Sequence, residues 1–182
     1  MSGAIAGIVF DKDGTLFDFE ATWGAWARDI VTQLAGGDAA RAGRLAGAIG
    51  YDMAAGRFAR DSAVIAGTVA EVAELMVPEL PQLDRDGLIA RLDAAAQLAP
   101  QVPAVDLPQC LSGLRGAGLR LGVATNDAEA SARVHLRKAG VEGLFDFVAG
   151  YDSGHGAKPG PGQLLAFAAA TGLRPGQVAM VG

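Results

Sequence analysis

Two aspartates separated by a single residue are the first chemically suggestive feature of this chain: Asp11-Lys12-Asp13-Gly14-Thr15 follows directly on the apolar run at residues 5–10. Paired carboxylates can divide nucleophilic and general acid/base work between them. Two further polar clusters stand in comparable places. Residues 119–124 run into Thr125-Asn126-Asp127, and residues 145–149 precede the loop 151–160 that carries Lys158. In an open parallel sheet, ligands bind outside the carboxyl ends of the strands. If the apolar runs are strands of one such sheet, two carboxylates, a hydroxyl and an ammonium converge on one edge.

The elements that must position them are legible as alternating patterns. The apolar runs 5–10, 119–124, 145–149 and 178–181 read as short buried strands. Between them lie helical patterns: 107–117 with Pro108 near its first turn, 128–139 preceded by a capping Asp127 and closed by Gly140, and 161–171 closed by Gly172. This alternation predicts an α/β class with a Rossmann-like, mostly parallel sheet core and right-handed crossovers. Between the first strand and residue 107 no strand is apparent. Helix-favouring stretches at 21–34, 39–53, 61–76 and 84–98, punctuated late by Pro78, Pro81, Pro100 and Pro103, predict an inserted all-helical cap domain. The expected organisation is therefore a core of residues 1–16 and 106–182, with the cap at 17–105.

Composition narrows the function classes. Apolar residues make up 51% of the 182 and charged residues 19%, so the chain can bury a core and is not of disordered type. A net charge of −5 without a basic run argues against a nucleic-acid partner, and a small anionic substrate would need a metal ion or a placed lysine to offset the field. The single Cys110 excludes an internal disulfide and a cysteine-rich zinc site. No secretory signal and no stretch long enough for a membrane span is apparent, so a cytoplasmic protein with no membrane partner is expected, as monomer or homodimer.

The segment FDKDGTLFD resembles the first motif, DxDGT, of the haloacid dehalogenase superfamily of phosphohydrolases. Thr125 resembles the Ser/Thr of its second motif, and Lys158 in GAKPGP the lysine of its third. The helical insert stands where that superfamily carries its C1 cap, and the spelling is nearest to phosphoglycolate-phosphatase-like members. The resemblance implies a Mg²⁺-dependent phosphatase acting on a small phosphorylated metabolite. Asp11 would attack phosphorus and form an aspartyl-phosphate; Asp13 would protonate the leaving oxygen and later take a proton from water. Lys158 and Mg²⁺ would offset the phosphoryl charge, with Asp11 and the Asp13 carbonyl as metal ligands. Thr125, the backbone of Gly14 and Thr15, and Asn126 would bind phosphoryl oxygens. Asp13 also separates this spelling from the DKTGT of P-type ATPases and from haloalkanoic dehalogenases, which lack the second aspartate. A phosphomutase is the nearest alternative. The superfamily takes a further acidic metal ligand from beyond its fourth strand; this sequence stops at Gly182, so poor Mg²⁺ affinity, or a non-catalytic phosphometabolite-binding module, is expected if the chain is complete.

Other residues have plainer readings. Trp23 and Trp26, three apart, should pack one face of the first cap helix. His135 is expected to be exposed on its helix, Cys110 to pack within one, and His155 to be a solvated loop histidine.

Overall fold

The computed structural model describes residues 4–182. In chain order its elements are β1 (Gly7–Phe10), α1 (Phe19–Ala35), α2 (Ala39–Ala48), β2 (Tyr51–Asp52), β3 (Arg57–Phe58), α3 (Ala63–Ala66), α4 (Val69–Met76), α5 (Arg85–Leu98), α6 (Leu107–Gly116), β4 (Arg120–Ala124), α7 (Glu129–Lys138), β5 (Phe147–Ala149), α8 (Gly162–Thr171) and β6 (Val178–Val181). They divide into two compact units, one formed by the segment ending at Asp18 together with Gln101–Gly182, the other by Phe19–Pro100.

The first unit is a parallel four-stranded sheet in the order β5-β4-β1-β6. In register, Phe10 at the end of β1 stands beside Val123 of β4 and Val181 of β6, so the segments that follow these strands leave the sheet at the same edge. Alternation along the strands assigns the two faces. Phe10, Leu121 and Val123 pack with Leu111 of α6 and Leu136 of α7, whereas Val9 and Ala124 face Phe167 of α8. Glycine is needed beneath that ring. A Cβ at Gly122 would lie 2.6 Å from the Phe167 ring and one at Gly7 would lie 2.8 Å from it, so two strands present bare backbone to a single aromatic side chain.

The second unit is built around α1, α2, α4 and α5, whose core includes Trp26, Ile30, Leu45, Met76, Leu88 and Leu92. Trp23 and Trp26 are both buried and meet edge to face at 5.3 Å, the packing that their spacing implies. Thr68 and Glu71 form a reciprocal capping box at the start of α4. The expectation of an all-helical insert needs one correction: the predicted helix over 39–53 ends at Ala48, and β2 and β3 form a two-stranded antiparallel ribbon. Asp52 explains the turn, because its Oδ1 accepts from the N–H groups of Ala54 and Ala55, while Gly56 adopts φ 68°.

Candidate active site

Asp11 leaves β1 with its N–H donated to the Val181 carbonyl, and its Oδ1 accepts from the Lys12 N–H at 2.7 Å. The same oxygen lies 2.6 Å from the Lys158 Nζ. Two donors on one oxygen fix the rotation of this carboxylate and leave Oδ2 with no hydrogen bond among the described residues. The main chain at Gly182 passes beside it, where an added Cβ would stand 3.0 Å from the Asp11 Cβ.

The loops after β4 and β5 are tied together by side-chain amides. Asn126 Nδ2 donates to the Lys158 carbonyl at 3.0 Å and its Oδ1 accepts from the Lys158 N–H at 2.7 Å. Thr125 is buried and its hydroxyl accepts from the Asp127 N–H at 3.1 Å. Buried Gln163, which sequence reasoning did not single out, sets its Nε2 3.1 Å from the carbonyls of Thr125, Gly150 and Gly156. Asp11, Asn126 and Lys158 are thus joined by direct contacts, and Thr125 is held in the same loop network.

The turn at Asp13–Thr15 is narrower as an anion cradle than its sequence suggested. Gly14 adopts φ 75°, the left-handed conformation glycine tolerates, but its N–H is taken by the Phe17 carbonyl. The N–H groups of Asp13 and Thr15 have no hydrogen-bond partner among the described residues, and they remain as donors for an anion.

Lys12 is the residue the sequence did not assign. Its side chain is fully buried, and its ammonium lies 2.7 Å from Asp13 Oδ1, 3.1 Å from His135 Nδ1 and 3.3 Å from Asp127 Oδ2. Burial opposes the charge, but the attraction of Asp13 and then Asp127 outweighs it, and the lysine pKa is raised. Asp127 is the strained member. Burial, only partly offset by Lys12 and reinforced by the like charge of Asp13, pushes its pKa up to about 6. Asp127 is also not the helix cap its position suggested: α7 begins after Ala128 with no side-chain cap, and the Glu129 N–H is met by Asp152 Oδ1 at 2.9 Å.

Two more expectations are corrected here. His135 is buried, because it lies on the α7 stripe with Ala132 and Leu136 that faces the core. Cys110 is exposed, because the buried face of α6 is set by Leu107 and Leu111. His155 is exposed and tilts against Phe147 with ring centres 5.9 Å apart.

The donor set suits a hard cation in part. Asp11 Oδ2 and the Asp13 main-chain carbonyl are two oxygen ligands without competing hydrogen bonds among the described residues, compatible with Mg²⁺, which retains several waters. Among those residues no group of three or more His, Cys, Asp or Glu side chains converges as a metal cage.

A profile described as haloacid dehalogenase-like hydrolase matches residues 5–182. The chain belongs to this hydrolase family. Over 89 residues it is 37% identical to the probable phosphatase IndB of Dickeya dadantii, an alignment spanning 47% of this chain and 39% of that protein. Among solved structures, a predicted phosphoglycolate phosphatase from Haemophilus somnus superposes with a TM-score of 0.69 at 18% identity, over 98% of this chain and 76% of that one. A HAD phosphatase from Thermococcus onnurineus gives 0.65 at 24% identity, over 98% and 77%. The L-2-haloacid dehalogenase of Xanthobacter autotrophicus gives 0.55 at 22% identity, over 97% and 69%. At these identities the structures establish the haloacid dehalogenase fold for this chain. No helix among the described residues is long and apolar enough to cross a membrane.

Proposed function

We propose that this haloacid dehalogenase-like hydrolase is a Mg²⁺-dependent phosphatase of small phosphorylated metabolites, phosphoglycolate-like in substrate class, working through an aspartyl-phosphate. The observation that carries the reading is the pairing of Asp11, held by Lys158 at 2.6 Å, with a second carboxylate at Asp13. A dehalogenase needs the nucleophile alone, whereas ester hydrolysis must also protonate a leaving alkoxide, and Asp13 is the group available for it.

In this reading an Asp11 carboxylate oxygen attacks phosphorus while the P–O bond to the leaving group breaks, and the proton on Asp13 passes to the departing oxygen. Water then attacks the phosphorus of the aspartyl-phosphate, giving its proton to Asp13 and releasing inorganic phosphate with Asp11 regenerated. Lys158 and the N–H groups of Asp13 and Thr15 offset the negative charge spread over the phosphoryl oxygens, and the Thr125 hydroxyl can donate to one of them. Asp11 and the Asp13 carbonyl would hold Mg²⁺, which supplies further counter-charge to the phosphoryl group when bound. Asn126 keeps Lys158 in place through its main chain.

The test is phosphate release from a panel of phosphate esters with Mg²⁺, for the protein and for Asp11→Asn. Turnover by the parent and its loss, by at least about a thousandfold, in the folded variant supports the reading. Retained turnover in Asp11→Asn contradicts it.

A further inference from the structure

We propose that His135 is a positioning residue for Asp13, acting through the buried ammonium of Lys12. The inference rests on the phosphatase reading of Asp13 and adds to it a residue remote from the motifs. An ammonium carries three N–H donors in roughly tetrahedral directions. Around Lys12 Nζ stand two hydrogen-bond partners, Asp13 Oδ1 at 2.7 Å and His135 Nδ1 at 3.1 Å, and one ion-pair partner, Asp127 Oδ2 at 3.3 Å, an oxygen that makes no hydrogen bond. Lys12 and His135 are both fully buried, so solvent does not compete for these directions.

The geometry gives each partner a separate task. Accepting from an ammonium requires Nδ1 of His135 to be unprotonated, which places the ring proton of the neutral imidazole on Nε2. The ring therefore holds one N–H direction without adding charge. A second falls on Asp13, while Asp127 Oδ2, from the loop after β4, faces the ammonium by charge alone as an unsatisfied competitor. Without the histidine acceptor, a flexible four-carbon side chain can turn its ammonium toward Asp127, and Asp13 loses its anchor. Asp13 itself is only partly buried and has no other side-chain hydrogen bond among the described residues, so this contact fixes its carboxyl group.

A loosely held Asp13 impairs protonation of the leaving oxygen and, equally for every ester, proton transfer from the hydrolytic water; only the first differs between substrates, and kcat/KM, which reports the steps up to the aspartyl-phosphate, isolates it. Esters whose leaving group is a poor one, such as alkyl phosphates, depend on protonation of the departing oxygen, whereas an aryl phosphate with a strongly acidic phenol depends on it little. The experiment measures kcat and KM for one ester of each kind, with Mg²⁺, in the parent, His135→Leu and His135→Asn; the asparagine amide oxygen can stand near the position of Nδ1. His135→Leu is expected to lower kcat/KM for the alkyl ester about tenfold, the scale of one hydrogen bond to a charged group, and for the aryl ester by less than about twofold. His135→Asn is expected to recover most of the alkyl activity. Equal losses on both esters, or no selective loss on the alkyl ester, overturn the proposal, and so does a failure of His135→Asn to differ from His135→Leu. If His135→Leu does not fold, the ratio of alkyl to aryl kcat/KM in His135→Asn and in His135→Gln decides: a ratio unchanged in both overturns the proposal, and a fall confined to the glutamine variant supports it. Asp11→Asn serves as the separate control. Its inactivity alongside non-selective His135 variants defeats the positioning role alone, and its activity defeats the phosphatase reading together with this inference.

Discussion

Replacing Lys12 by methionine keeps the shape of the buried stem and removes the charge, leaving Asp13 and Asp127 without the ammonium between them. Removing one partner of a buried ion pair costs about 3–5 kcal/mol, because the remaining charge stays desolvated. The cost depends on pH in a defined direction. Asp127 already titrates near 6 against an ordinary 3.8, a difference equivalent to about 3 kcal/mol. Because the folded state binds this proton more tightly than the unfolded chain, the contribution of Asp127 to stability falls as pH rises from about 4 to about 6 and is level above that. In Lys12→Met the Asp127 pKa in the fold moves higher still, so the Asp127 contribution continues to fall above about pH 6. Urea unfolding without added metal at pH 5 and pH 8 measures this: a difference from the parent of about 1–2 kcal/mol at pH 5 and about 3–5 kcal/mol at pH 8 is expected. The double variant Lys12→Met/Asp127→Asn should recover most of the loss at pH 8. A destabilisation equal at both pH values, or below about 1 kcal/mol at pH 8, refutes the electrostatic account of this cluster.

Phe167→Ala should destabilise the sheet unit by about 3–5 kcal/mol in urea with an unchanged denaturant slope, because Gly7 and Gly122 beneath the ring have no side chains with which to fill the cavity. Asn126→Ala removes both hydrogen bonds to the Lys158 main chain. It should lower kcat/KM for a phosphate ester about tenfold or more while costing about 1–3 kcal/mol in thermal or urea unfolding.

The core was legible because each strand is a short apolar run that ends in polar residues, and each core helix has a start or stop signal. Gly172 is a clear case: it closes α8 with φ 70°, the left-handed cap that its position after Thr171 suggested. The ribbon at Tyr51–Phe58 escaped because strands of two residues are too short to show a period of two, although the Asp52 to Gly56 spacing carried a turn signal. Lys12 was opaque for a different reason. A lysine in a polar motif is ordinarily solvated, and only the return of the chain through Asp127 and His135 shows that its ammonium can be met in the interior. His135 itself could have been found. Ser131, Ala132, His135 and Leu136 recur at helical spacing on one face of α7, in line with Ala128 just before it, and the apolar residues of that stripe mark the register of the histidine as core. The pairing of Asn126 with Lys158 lies across two loops 32 residues apart, which no local pattern encodes.

In the proposed mechanism Asp11 is phosphorylated during turnover. Acid quenching of the protein within the first turnover of an aryl phosphate with Mg²⁺, followed by peptide mass analysis, tests it directly. An acyl-phosphate is expected on the peptide containing Asp11, absent from Asp11→Asn. Phosphate release by the parent with no phosphorylated Asp11, and with activity kept in Asp11→Asn, contradicts it.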